Sequence, residues 1–186
     1  CRFVMILTVA LCVSAGASAS TWYVDGANAS GTEDGLSWGT AFTTIQQGIE
    51  ATSAGDRVLV RPGTYLENVS VGGRDLVLQS INPADATVAA TTVIDGGGNG
   101  PVVTFNGSEP ETCRLAGFTL TNGTSARGAG VLGNGARAAI DHNVILHNHA
   151  IYSGASDSCL GGGLDGCRGL IRNNTIAGNV ADKRGG

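Results

Sequence analysis

Three copies of one pattern recur along the chain, and their spacing limits the folds open to it. Gly117-Phe118-Thr119-Leu120-Thr121-Asn122-Gly123 aligns with His142-Asn143-Val144-Ile145-Leu146-His147-Asn148 and with Asn173-Asn174-Thr175-Ile176-Ala177-Gly178-Asn179. The central aliphatic residues Leu120, Ile145 and Ile176 lie 25 and then 31 residues apart. Between the copies stand Gly128-Ala129-Gly130-Val131 and Gly161-Gly162-Gly163-Leu164, and Gly185-Gly186 begins that pattern again. The unit reads as strand, Asn/Gly turn, Gly-rich strand, turn. A period of this length lies in the solenoid range.

The rest of the chain fits the same architecture. Asp56–Arg61, Asn68–Val71 and Asp75–Gln79 alternate apolar and polar residues, and each ends near a turn pair such as Pro62-Gly63 or Gly72-Gly73. Thr92–Asp95, Val102–Phe105 and Phe118–Thr121 continue the rhythm. Helical spacing is confined to residues 40–54, where Phe42, Ile45, Ile49 and Thr52 form one stripe between Thr40 and Gly55. The expected fold is all-β: a right-handed parallel β-helix of about four coils, with an N-terminal amphipathic capping helix. Coils stack at roughly 4.8 Å. Aliphatic residues then fill a narrow interior, here Val58, Val60, Leu76, Leu78, Phe118, Leu120, Ile145 and Ile176. Sharp corners need positive φ, which Gly and Asn adopt at little expense.

Composition agrees. Gly supplies 30 of 186 residues, yet 42% of the chain is hydrophobic, too much for a disordered polar tract. Lysine occurs once, as Lys183, and the formal net charge is −4. With no basic run or stripe, nucleic acid is not an expected partner.

Residues 1–19 read as a secretory signal peptide. Arg2 precedes a short apolar run, and Ala17-Ser18-Ala19 fits a cleavage site before Ser20. The run is too short to span a bilayer, so no transmembrane segment is expected in the mature fragment. The expected location is therefore secreted or cell-surface. Residues 20–55 form an N-terminal segment with the helix, and residues 56–186 form the repeats. The chain starts at Cys1 and stops inside a Gly-rich pattern, so it is expected to be truncated, with its repeats incomplete at the C-terminus. Export leaves Cys113, Cys159 and Cys167. Cys159 and Cys167 flank a flexible Gly-rich segment and form a candidate disulfide, with three free buried thiols the equal alternative.

The segments Trp22-Tyr23-Val24-Asp25, Gly35-Leu36-Ser37-Trp38, Ala41–Ile49 and Ala54-Gly55-Asp56 through Pro62-Gly63-Thr64-Tyr65 carry a resemblance. They look like the opening of secreted right-handed parallel β-helix proteins of the pectin-lyase-like group. The repeats also loosely resemble those of polymorphic outer-membrane proteins, through Gly162-Gly163-Leu164 and Ile176-Ala177-Gly178-Asn179. The resemblance implies extracellular polysaccharide as substrate or ligand, with a polysaccharide lyase or glycoside hydrolase as the enzymatic form. The competing expectation is a non-enzymatic, adhesive surface stalk of the outer-membrane or autotransporter kind.

Lyase chemistry needs a base beside a uronate and a Ca²⁺ held by carboxylates. Candidates for the base are Arg61, Arg114, Arg137, Arg168 and Arg172, all of which also read as solvated outer-face residues. Asp141, Asp157 and Asp165 are the candidate Ca²⁺ ligands, and no other cofactor is evident. Asp141-His142, His147 and His149 form the densest titratable group. They read either as a metal or general-base cluster or, more simply, as corner residues. No catalytic residue is assigned, and an active site is expected to lie outside this fragment, which alone should show no lyase activity.

Overall fold

A computed structural model describes residues 18–151 and 160–182. β1 (Thr21–Val24) leads through a 3₁₀ turn at Trp38–Thr40 to α1 (Ile45–Glu50). Coils follow. The first holds β2 (Asp56–Val60), β3 (Gly63–Leu66) and β4 (Val69–Ser70). The second holds β5 (Leu76–Ser80), α2 (Ala86–Thr91), β6 (Thr92–Asp95) and β7 (Val103–Thr104). The third holds β8 (Arg114–Ala116), β9 (Thr119–Thr121), β10 (Thr124–Ser125) and β11 (Val131–Leu132). The fourth holds β12 (Ala139–Asp141), β13 (Val144–Leu146), β14 (His149–Ala150) and β15 (Leu164–Asp165). β16 (Ile171–Arg172), β17 (Thr175–Ala177) and β18 (Val180–Ala181) open a fifth.

Among the described residues, every strand pairing is parallel. Corresponding strands of successive coils form four sheets, ordered β1-β2-β5-β8-β12-β16, β3-β6-β9-β13-β17, β4-β7-β11-β15 and β10-β14-β18. This is the arrangement of a β-helix-like solenoid. The register follows the sequence repeat: Ile145 lies opposite Leu120 on one side and Ile176 on the other.

Stacking builds the core as columns. Val58, Leu78, Leu115 and Ile140 form one, and Tyr65, Ile94, Leu120 and Ile145 a second. Val69, Val103 and Val131 form a third, and every member of the three is buried. Of the residues expected to point inward, Ile176 departs, with 47% of its surface exposed. It stands in column with Ile145, but among the described residues no coil covers its far side.

The helical segments differ from expectation. The stripe over residues 40–54 predicts a helix starting at Thr40, whereas α1 starts at Ile45. Phe42 is pulled into extended backbone instead: its N–H donates to Tyr23 O and its carbonyl accepts from Asp25 N, both at 2.9 Å. Thr44 therefore becomes the N-cap, in a capping box with Gln47. Glu67 reaches back from beyond β3 and accepts from Ile45 N at 2.8 Å and Gln46 N at 3.0 Å. α1 lies close against β1 and β2 because residue 48 is Gly, since a Cβ there would meet Val24 and Val58 methyl groups at 2.8 and 2.9 Å. α2 has no counterpart in the periodicity reading. Asp85 caps it, accepting from Thr87 N at 2.8 Å, and its alanines bury one residue, Ala89.

Two corners repeat in each of the later coils. One column holds Gly117, His142 and Asn173, the other Asn122, His147 and Gly178, and all six have positive φ. The residue that follows in the fourth and fifth coils is Asn. Asn143 Oδ1 accepts from Phe118 N at 3.0 Å, while its Nδ2 donates to Leu115 O at 3.0 Å and to Asn174 Oδ1 at 3.1 Å. Asn148 repeats this with Gly123 N at 2.8 Å, Leu120 O at 3.1 Å and Asn179 Oδ1 at 2.9 Å. Asn174 and Asn179 donate in turn to Ile140 O and Ile145 O, each at 2.8 Å. These amides satisfy corner backbone groups that strand pairing leaves over.

A substitution pair tests the column. Ile145→Ala should lower unfolding free energy by about 2–5 kcal/mol, as for other buried aliphatic truncations. Ile176→Ala should change it by no more than about 1 kcal/mol, because that side chain is half exposed. Denaturant melts of the two variants give the comparison, and equal losses would contradict the observed register.

Candidate binding site

The strongest charge cluster sits on the outer face of the six-stranded sheet. Pairing sets Asp141 opposite Ala116 and Arg172, with Arg114 two residues before Ala116 on β8. The small Ala116 leaves room for Arg114 to reach across. Arg114 grips Asp141 through Nη2 at 2.8 Å and Nε at 3.0 Å, and also donates to Gln79 Oε1 at 3.3 Å. Arg172 approaches Asp141 from the next coil at 3.5 Å. His142 Nδ1 lies 3.5 Å from the same carboxylate, and His142 Nε2 lies 3.2 Å from Asn173 Nδ2.

The Asp141 side chain is only 1% exposed. Burial raises its pKa, but the Arg114 hydrogen bonds and charge, with His142 adding to them, outweigh burial and hold it below the usual carboxylate value. Asp141 is thus a staple across three coils, ionised at neutral pH. Its two oxygens are engaged by arginine, which does not fit a Ca²⁺ ligand set. Asp165 lies on a different sheet, β4-β7-β11-β15, and pairs with Arg127 at 2.8 Å. The structure therefore does not bring Asp141 and Asp165 together. Among the described residues no group of three or more His, Cys, Asp or Glu could hold a metal. Asp157, Cys159 and Lys183 lie outside the described residues.

The other candidate bases are distributed over the surface. Arg61 pairs with Asp25 at 2.8 Å and sits 4.3 Å over the Trp38 ring. Arg137 pairs loosely with Glu111 at 3.3 Å. Cys113 is buried, and burial pushes its thiol up to about 11; the Cys167 thiol is pushed up to about 12. Neither is a thiolate near neutral pH, so neither is a nucleophile there.

A more open arrangement lies where the second, third and fourth coils turn. Here a groove of about 460 Å³ is lined by Leu66, Asp95, Asn122, His147 and His149, with glycines of two turns. Asp95, at the end of β6, accepts from Gly97 N and from Asn122 Nδ2, both at 2.9 Å. Asn122 and His147 occupy the same corner column, which places their side chains outward on adjacent coils. His149, on β14, meets Asp182 of the next coil at 2.6 Å. His147 and His149 do not share one strand face, because His147 is the positive-φ corner residue preceding Asn148. Leu66 is 74% exposed beside these polar groups. The groove thus offers carboxylate, amide and imidazole groups next to an apolar surface, which suits hydroxyl hydrogen bonding plus contact with a C–H face. Sequence reasoning singled out the two histidines, saw Asp95 only as the start of a Gly-rich run with Ca²⁺-loop composition and Asn122 only as a repeat residue, and did not join them with Leu66, because their convergence depends on pairings across coils.

No known protein family, curated protein or solved structure matches the chain.

The staple gives a pH prediction. A carboxylate whose folded pKa is depressed stabilises the fold above its unfolded value, and that stabilisation is lost as pH falls through the folded value. Asp141→Asn should destabilise the protein at pH 7 by about 1–3 kcal/mol, the range for charged hydrogen bonds. The difference from wild type should shrink as pH drops below 4 in denaturant melts. A constant difference down to pH 2 would show that the Asp141 charge is not the cause.

Proposed function

We propose that this chain is an exported, right-handed parallel β-helix of the pectin-lyase-like kind, with α1 covering the first coil, that binds extracellular polysaccharide. The observation that carries this is the open groove over Leu66, Asp95, Asn122 and His147. Its polar groups Asp95, Asn122 and His147 come from three successive coils, each roughly 4.8 Å from the next at the backbone. That spacing offers an extended sugar chain hydrogen-bonding groups over three rungs. The turn-rich, lysine-poor repeat and the leader-like residues 1–19 support export.

The role proposed is binding, not lysis. The candidate metal carboxylates Asp141 and Asp165 are each held by arginine, so binding is expected to persist after chelation of Ca²⁺. A second reading, an adhesive surface stalk, is favoured by the two asparagine columns, which tie coil to coil and stiffen the stack. The two readings differ in what the groove does.

Affinity electrophoresis through gels containing polygalacturonate, alginate or chondroitin separates them. Retardation by at least one polymer, reduced about fivefold or more in Asp95→Ala and in His147→Ala, is expected for a binding groove of charged and polar contacts. Equal migration with and without every polymer would favour the stalk. N-terminal sequencing of exported material should begin at or within a few residues of Ser20.

A further inference from the structure

The outer arginines of the stack are largely neutralised from within. Arg61 pairs with Asp25, Arg114 and Arg172 with Asp141, and Arg127 with Asp165. Arg168, like Arg57 on β2, does not follow this. Arg168 is exposed, and among the described residues its guanidinium has neither a hydrogen bond nor an ion pair.

Its position makes this costly. Arg137 stands three residues before Ile140, and Arg168 three before Ile171, and those two isoleucines are register partners. Arg168 N also donates to Ala136 O at 2.8 Å, which fixes the two segments side by side. The two arginines therefore leave adjacent coils one rung apart, roughly 4.8 Å at the backbone. Like charges directly opposite on neighbouring strands are destabilising. Glu111 relieves only Arg137, at 3.3 Å and with both side chains mostly exposed. One positive charge is left over.

That charge faces open space. Arg168 lines a cavity of about 440 Å³ together with Glu111, Arg137, Ala139 and Leu170. It also lines a second cavity of about 280 Å³ with Arg127 and Asn134. Leu170 is 56% exposed at the edge of the first.

We propose that Arg137 and Arg168 form an oxyanion site, which takes a sulfate or carboxylate group presented from outside the chain. The planar guanidinium fork matches two oxygens of either group. An anion held between Arg137 and Arg168 offsets the like charges carried by the two adjacent coils, which among the described residues no internal group does for Arg168. The site stands apart from the groove at Asp95 and does not depend on the polysaccharide reading. A free anion and a sulfate ester on a polymer share the chemistry, and the experiment separates them.

The test uses the full chain with ¹⁵N-labelled arginine, titrated at constant ionic strength with sodium sulfate, dextran sulfate and uncharged dextran. The Arg168 Nε–Hε signal should move with both sulfated probes and stay fixed with dextran. Arg168→Ala should weaken sulfate binding about tenfold, the scale of a charge-assisted hydrogen bond. Arg168→Lys should recover only part of it, since the fork is lost. Per sulfate group, tighter binding of dextran sulfate assigns the site to a polymer-borne group, and equal binding to a free anion. A fixed Arg168 signal, equal movement of every arginine signal, or full affinity in a folded Arg168→Ala variant would overturn the proposal. If that variant fails to fold, the wild-type Arg168 signal alone decides.

Discussion

Everything in this molecule depends on coils meeting in register, and from the third coil to the fifth the corner asparagines fix that register. A parallel ladder alone pairs backbone groups but does not prevent a slip, and a slip of one residue would turn every inward side chain outward. Asn143 and Asn148 each bond to the coil before and the coil after. Such bonds are available only when the preceding residue adopts positive φ and turns the amide inward. His142 and His147 both do so, although neither is Gly. Their conformation is strained for an ordinary side chain, and the asparagine bonds that follow compensate. Close approach completes the lock: a Cβ on Gly123 would collide with Ala129 O.

Charge is handled in the same way. The chain keeps few charged residues, and Asp141 and Asp165 on the strands are matched with arginines of neighbouring coils. Arg114 and Asp141 are 27 positions apart in sequence, and Arg172 and Asp141 are 31 apart, yet each pair spans neighbouring coils. The resulting surface has an enclosed staple at Asp141, where every oxygen is engaged, and open regions at Asp95 and at Arg168, where polar groups face space. Chemistry with an outside molecule belongs to the open regions.

Much of the fold was legible because a solenoid writes its geometry into sequence as a period. The spacing of Leu120, Ile145 and Ile176 is the register itself. The corner role of His142 and His147 was readable from the flanking asparagines. Local signals were less dependable where a tertiary partner competed. Phe42 fits a helical stripe, but bonds to Tyr23 and Asp25 draw it into extended backbone. α2 is too short to produce a period, and only Asp85 before an alanine-rich run announced it. The site was least legible. Asp95, Asn122 and His147 converge through corner stacking, and the Asp141 staple joins residues that sequence proximity cannot connect.

The reach of Glu67 into the first turn of α1 bears on the order of events during folding. Ile45 N and Gln46 N find their acceptor 22 and 21 residues downstream. A six-residue helix is too short to persist alone in water. During synthesis, therefore, this helix is left without its acceptor until β3 and the turn after it have emerged. Loop closure across that interval precedes its completion, so the first turn of α1 gains these two bonds only once Glu67 is in place.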